Sequence, residues 1–122
     1  MDAQEFQPSL LAWARTWDLP ALPEQVAITF TRRLRRSLGR CNPGDRRVRV
    51  NARLLDGPPD LLREVLCHEL AHVAVHLLHG RSVRPHGAEW ARLMRLAGYP
   101  PRARVAWADL PDSIRAASEA GL

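Results

Sequence analysis

The sequence predicts an α+β fold in which a small antiparallel sheet packs against a long central helix, with shorter helices around it. Apolar residues recur at helical spacing near the N-terminus, alternate with polar residues between residues 26 and 51, and nearly surround a stretch that begins at Asp60. With 122 residues, of which 46% are apolar, the chain has the size and composition of one compact core. We therefore expect a single domain over residues 1–122, with its core at about 20–100 and a C-terminal tail at about 101–122.

The N-terminal pattern predicts a short packing helix from Leu10 to Asp18 with Ser9 as its N-cap, ended by Pro20 and Pro23. Alternation with a period of two then predicts three strands, near residues 26–31, 33–38 and 47–51. An Asn-Pro-Gly-Asp turn lies between the last two strands. The expected sheet has one apolar face and one face covered by arginine.

A long helix is predicted to begin at Asp60, which can cap it, and to end near Gly80. Because apolar residues almost encircle this helix, we expect it to run through the core. A second helix is predicted from Gly87 to about Ala97, and a last one, capped near Asp112, in the tail.

Composition excludes several classes of protein. The longest mostly apolar stretch, Leu70 to Leu78, is interrupted by two histidines and is far shorter than the ~20 residues of a membrane span. The N-terminal residues carry acids where a signal peptide carries bases. Cys41 and Cys67 are too few for a disulfide scaffold or a four-cysteine zinc site, which favours a cytoplasmic location and a metal bound by histidine and carboxylate.

Positive charge is concentrated in one region. All 18 basic residues are arginine, and nine of them lie between Arg32 and Arg53 against a single acid, Asp45. This region either attracts phosphate backbones, with single-stranded DNA as the expected ligand, or acidic partners, or it is a solvated sheet face. The residues predicted to contact nucleic acid are Arg33, Arg35, Arg47 and Arg49. Trp107 is the best candidate for stacking on a base.

The long helix contains the sequence His68-Glu69-Leu70-Ala71-His72. Residues four apart on a helix are neighbours, so both imidazoles can bind one metal ion. Glu69 projects beside that position and can accept a proton from a water that the metal activates, then pass it to a leaving amine. This spacing is the zinc-hydrolase motif HExxH. Cys67 faces away from the histidines and is expected to be a small buried thiol.

A catalytic zinc needs a third protein ligand, which should come from the element after the helix. We favour His86, fourteen residues beyond His72, because a loop reversal can return it to the first two histidines. Glu89 is the alternative, although it is also an ordinary first-turn acid. His76 and His79 continue the same helix and cannot easily complete a tetrahedron.

The segment Leu66-Cys67-HELAH, followed by His86-Gly87-Ala88-Glu89-Trp90, resembles the SprT-like zinc metalloproteases, a family that includes the protease Spartan. The resemblance covers about residues 20–100. It implies a zincin-like fold with one Zn²⁺ bound by His68, His72 and His86, Glu69 as general base, and substrate extended along the sheet edge above the helix. It also implies protein substrates, among them proteins bound or crosslinked to DNA.

Three hypotheses follow for the function. The first is a monomeric zinc metalloendopeptidase that cleaves proteins held on DNA. The second is a nucleic-acid-binding module with a structural zinc, which would not depend on Glu69. The third is a regulatory metalloprotease that cleaves one repressor.

Overall fold

The computed structural model describes residues 5–104 and has an α+β fold. Its helices are α1 (Gln7–Thr16), α2 (Leu22–Gln25), α3 (Pro59–His79) and α4 (Ala88–Leu96), and its strands are β1 (Ala27–Thr31), β2 (Gly39–Asn42) and β3 (Arg47–Asn51). A short 3₁₀ helix, Ala52–Asp56, joins β3 to α3. The predicted fold class is confirmed. The predicted tail helix and Trp107 lie outside the described residues.

The sheet is mixed, so the prediction of a purely antiparallel sheet was wrong. The strand order is β1-β3-β2, and β1 runs parallel to the central strand β3 while β2 runs antiparallel to it. After β1 the chain therefore crosses to the far edge before it turns back through residues 43–46 into β3. The turn was correctly placed, whereas the order of the strands depends on long-range pairing that alternation does not encode.

The second strand lies at residues 39–42, so the prediction of a strand at 33–38 was also wrong. Leu34 and Leu38 are both buried, but the backbone around them is irregular. The side-chain amide of Asn51 donates hydrogen bonds to two carbonyl oxygens of this segment, Leu34 O at 2.8 Å and Ser37 O at 3.2 Å. A buried asparagine thus replaces the hydrogen bonds that a strand ladder would supply.

Helix α1 begins earlier than predicted because Pro8 occupies its first turn, where proline loses no hydrogen bond. Phe6, and not Ser9, is the N-cap. The helix buries an apolar face that includes Trp13, and Trp17 just after it donates from its indole nitrogen to Leu93 O at 2.8 Å. This contact fixes α1 against α4.

Helix α3 is the buried central helix that the sequence predicted. It starts with Pro59 in its first turn and Pro58 as N-cap, so Asp60 lies within the first turn and is not the cap. Its middle is almost wholly buried, and it ends where Gly80 adopts a φ of 79°. Among residues 5–104, no helix combines the length and apolarity needed to cross a membrane.

Candidate metal centre

Two histidines face the same direction from the centre of α3. His68 and His72 are one helical turn apart, with ring centroids separated by 5.1 Å. Both side chains are half-buried, because β2 and α4 pack on either side of this face of the helix. The helix alone positions this pair.

The third histidine comes from the connection between α3 and α4. Gly80 reverses the chain, and the turn before α4 is closed by a hydrogen bond from Gly87 N to Arg84 O at 3.1 Å. This returns His86 to the helix face, where its Nε2 lies 3.1 Å from His72 Nε2 and 3.2 Å from His68 Nε2. The structure thus brings together the three histidines that the sequence analysis favoured.

The other candidates for a third ligand lie elsewhere. Glu89 and His79 line a separate groove between α1, α3 and α4. Among the described residues, His68, His72 and His86 are the one group of three or more potential ligands whose donor atoms could hold a metal ion, all within 4.8 Å of one another.

The cluster fits a metal with nitrogen ligands. Tetrahedral coordination at Zn–N distances of ~2.0 Å places ligand nitrogens about 3.3 Å apart, close to the two separations measured here. Burial, followed by the neighbouring imidazoles, lowers the pKa of His68 to about 4 and that of His72 to about 3. Burial also lowers the pKa of His86. At neutral pH all three rings are uncharged, which is the form that binds metal.

Glu69 lies beside the histidines and is 7% exposed. Burial raises its pKa to about 7, although the nearby Arg40 guanidinium acts in the opposite direction. A carboxylate whose pKa is close to neutrality can both accept and release a proton under ordinary conditions.

Strand β2 approaches Glu69 closely, through a residue that the sequence analysis did not single out. A Cβ atom at Gly39 would lie 3.0 Å from Glu69 Cγ and 3.2 Å from Val65 Cγ1. A glycine inside a strand is a recognisable signal of such an approach. Gly39 was not recognised because the strand itself was placed elsewhere.

The histidines and Glu69 open into a cleft of about 690 Å³. Its opposite wall is formed by β2 and the residues before it, and its rim by Ala103 and Arg104. Three exposed arginines border this cleft: Arg36, Arg40 and Arg104. None of the three was a candidate site residue from the sequence.

Trp90 forms the floor beneath the imidazoles. Its ring centroid lies 4.8 Å from that of His68 and 4.9 Å from that of His86, and its indole nitrogen donates to His68 O at 3.2 Å. A fully buried ring in this position restricts the side-chain rotamers of the histidines.

The predicted nucleic-acid contacts fall into two groups. Arg47 and Arg49 lie on β3 and are exposed, as predicted, but Arg33 and Arg35 lie in the irregular segment and not on a strand. Arg33, Arg35 and Arg49 line a second concavity of about 620 Å³, whereas Arg47 does not. This concavity shares Arg36, Ser37 and Arg40 with the cleft, so the two lie side by side.

Both cysteines are free thiols. Cys67 is completely buried, and burial raises its pKa. Burial, followed by the Glu69 carboxylate, raises the pKa of Cys41 to about 12. Neither thiol belongs to the histidine cluster.

Comparison with known proteins identifies the family of this chain. A model of the SprT-like family matches residues 9–109. The chain belongs to the SprT-like family. It is similar to Protein SprT of Pseudomonas savastanoi pv. phaseolicola (strain 1448A / Race 6), with 43% identity over 49 residues that cover 39% of this chain and 30% of the relative. Protein SprT of Pseudomonas aeruginosa (strain LESB58) is 46% identical over 41 residues, which cover 33% of this chain and 25% of the relative.

The match therefore spans less than a third of these SprT relatives' own length. No solved structure matches the chain.

Proposed function

We propose that this chain is a zinc-dependent metalloendopeptidase. The observation that carries the proposal is the convergence of three uncharged imidazoles beside a buried carboxylate, all opening into one cleft. In this proposal His68, His72 and His86 hold a single Zn²⁺, which when bound supplies a Lewis acid that activates water and polarises a peptide carbonyl.

The chain's own residues account for the proton transfers. Glu69 takes a proton from the attacking water, which its pKa near 7 permits at neutral pH, and delivers it to the nitrogen of the leaving amine. The carboxylate then returns to its ionised form. Gly39 leaves the space that the Glu69 side chain needs for this position.

The edge of the sheet offers a binding surface for an extended peptide. In the described structure β2 pairs with β3 alone, so its other edge carries backbone groups without strand partners. Since β2 forms the wall of the cleft opposite the histidines, a substrate strand that pairs with β2 passes directly over Glu69.

A nucleic-acid-binding module with a structural zinc is the less favoured function. Structural zinc sites are closed by four protein ligands. Among the described residues the cluster has three, and it faces an open cleft. This supports a catalytic ion with a free position.

We further propose that the enzyme acts on proteins held on DNA. The support is the position of the arginine-lined concavity beside the cleft, since Arg36, Ser37 and Arg40 line both. In β2 and β3, Arg40 lies directly opposite Arg49, and like charges in this position repel unless an anion lies between them. A phosphate backbone bound there would present its attached protein to the cleft.

Two further parts of the proposal concern the working form of the enzyme. The cleft is formed within one chain, which supports a monomer as the active unit. The two free thiols support a reducing compartment such as the cytoplasm.

The proposal is tested by incubating the zinc-loaded protein with a DNA-binding protein as substrate, with and without single-stranded DNA. We expect fragments from the native chain, and turnover about 10²–10⁴-fold lower for Glu69→Gln with zinc still bound. Equal fragmentation by native and variant proteins would reject Glu69 as the base. Absence of cleavage with zinc bound would favour the structural-zinc module or cleavage of one specific repressor.

The DNA part has a separate readout. Single-stranded DNA should raise the cleavage rate of the native chain and should not raise that of a variant in which Arg33, Arg35, Arg47 and Arg49 are glutamine. Cleavage that is equally fast with and without DNA would retain the protease and reject the DNA-directed role.

A further inference from the structure

The segment after α4 returns to the metal centre. Tyr99 N donates to Met94 O at 3.0 Å, and its ring packs edge-on against Trp13 at 6.2 Å. The chain then passes through two prolines and a local hydrogen bond from Arg102 N to Pro100 O at 2.8 Å. Ala103 and Arg104 follow and line the cleft beside His68. Residues 99–104 are called the return segment below.

One side chain ties the return segment to α3. The Arg102 guanidinium donates to both oxygens of Glu64, from Nε at 2.9 Å and from the terminal nitrogen at 2.8 Å. The Glu64 side chain is only 13% exposed, so this bidentate pair is shielded on its carboxylate side. The other ion pair in the described structure, Arg63 with Asp60, has a single contact at 3.3 Å and an Asp60 side chain that is 99% exposed.

Glu64 lies one helical turn before His68, and this places the backbone of Arg102 beside the imidazole. The Nδ1 atom of His68 is buried and has no well-formed hydrogen bond in the described structure. Ala103, which directly follows Arg102, lines the cleft together with His68, so the Arg102 carbonyl lies on the same side of α3 as the ring.

A histidine that binds metal through Nε2 carries its proton on Nδ1, and a fixed acceptor for that proton sets the orientation and tautomer of the ring. We propose that Arg102 is a positioning residue for the metal centre. The Arg102 guanidinium binds Glu64, and this holds the Arg102 carbonyl where it accepts the Nδ1 proton of His68 and orients Nε2 towards the ion. The inference rests on the proposed function in that it requires the three histidines to bind zinc.

The proposal predicts a specific effect on zinc affinity. Glu64→Gln and Arg102→Gln each remove the charged pair while all three ligands remain, and partners of this kind change metal affinity by about 10–100-fold. We therefore expect each variant to bind zinc about 10–100-fold more weakly, measured by competition with a chromophoric chelator. Arg102→Lys retains the charge but not the bidentate geometry. The zinc affinity of this variant should lie between those of Arg102→Gln and the native protein.

Two controls separate positioning from general damage. Asp60→Asn removes the other ion pair of α3 and should leave zinc affinity unchanged. The double variant Glu64→Arg with Arg102→Glu reverses the pair and should recover part of the lost affinity. Nitrogen NMR of the His68 ring in the metal-free protein provides a readout independent of activity: the Nδ1–H tautomer should dominate in the native chain and lose its dominance in Glu64→Gln.

The outcomes distinguish this inference from the proposed function. Native protein that binds zinc, beside folded Glu64→Gln and Arg102→Gln variants whose affinity stays within about twofold of native, would overturn the positioning role alone. An unchanged tautomer in Glu64→Gln would overturn it as well. Native protein that binds no zinc would overturn the proposed function and the positioning role with it.

Discussion

The two walls of the cleft are built in different ways. On one wall, α3 holds Glu69 buried and His68 and His72 half-buried, the connection before α4 contributes the exposed His86, and Trp90 packs beneath them. On the other wall, β2, β3 and the irregular segment before them present arginines that are exposed. Metal binding at the helical wall depends on a few short distances between closely packed groups. Attraction of an anion at the arginine wall depends on the sum of many solvated charges.

This difference predicts how each wall responds to change. Removing one buried group on the helical wall should have a large effect that the remaining groups cannot replace. Removing one arginine should have a small effect, because its neighbours still attract an anion through solvent.

The largest effect is expected from the loss of a metal ligand. His86→Ala should weaken zinc binding about 10²–10³-fold, since it removes one of three ligands to an ion whose total binding free energy is about 10–16 kcal/mol. Chelator competition measures this. His79→Ala removes an exposed histidine near the end of α3 and should have no effect, and an equal loss in that control would contradict the assignment of His86.

The next effect concerns the stability of the metal-free protein and its dependence on pH. Burial raises the pKa of Glu69 from 4.5 to about 7, so the folded chain holds this proton more tightly than the unfolded chain does. The stability that this group contributes is fully present below pH 4.5 and is lost as pH rises towards 7. Relative to native protein, Glu69→Gln should therefore gain about 1–3 kcal/mol in the free energy of unfolding between pH 4.5 and pH 8.

Urea unfolding in the presence of a chelator measures this gain. The histidines titrate in both proteins, so their contributions cancel in the difference. Glu24→Gln, at an exposed position, serves as the control. A difference between native and Glu69→Gln that is the same at every pH would show that Glu69 is not held in a desolvated position.

A smaller effect is expected where the two walls touch. Gly39→Ala introduces a Cβ atom 3.0 Å from Glu69 Cγ, so the carboxylate must move by a few tenths of an ångström. We expect turnover to fall about tenfold while zinc affinity is retained, because misplacement of a catalytic group is costly. Gly44→Ala, whose Cβ would meet only Asn42 Oδ1 at 3.7 Å, is the matched control. Unchanged turnover in Gly39→Ala would show that Glu69 tolerates this shift.

The smallest effect is expected on the arginine wall. Arg49→Gln should weaken binding of single-stranded DNA only about 2–5-fold and reduce the slope of log affinity against log salt by about 0.7, since it removes one phosphate contact. Fluorescence anisotropy at several salt concentrations measures both quantities. Arg95→Gln on α4 removes the same charge away from this wall, and an equal loss there would indicate attraction by net charge alone.

The helical wall could be predicted from the sequence almost completely. A spacing of four residues places His68 and His72 on one face of any helix, and the apolar residues around them require that helix to be buried. His86 was favoured because a third ligand should come from the next element and a loop reversal can return this histidine to the first two, but Glu89 stayed open as an alternative. Only the turn after Gly80 decided between them.

The arginine wall was predicted in composition but not in form. The alternation of residues over 33–38 matched a strand. The segment is nevertheless irregular, because the buried side chain of Asn51, distant in sequence, donates hydrogen bonds to its carbonyl oxygens. Gly39, which approaches Glu69, could not be recognised while β2 was placed six residues too early.

The sequence by itself determined the long central helix, its HExxH motif and the excess of positive charge, because each of these depends on residues close together in the chain. The tertiary structure alone decided the mixed order of the strands, the approach of Gly39 to Glu69 and the return of Arg102 to Glu64. These features join residues far apart in sequence, and such contacts depend on how the whole chain packs and not on any local periodicity.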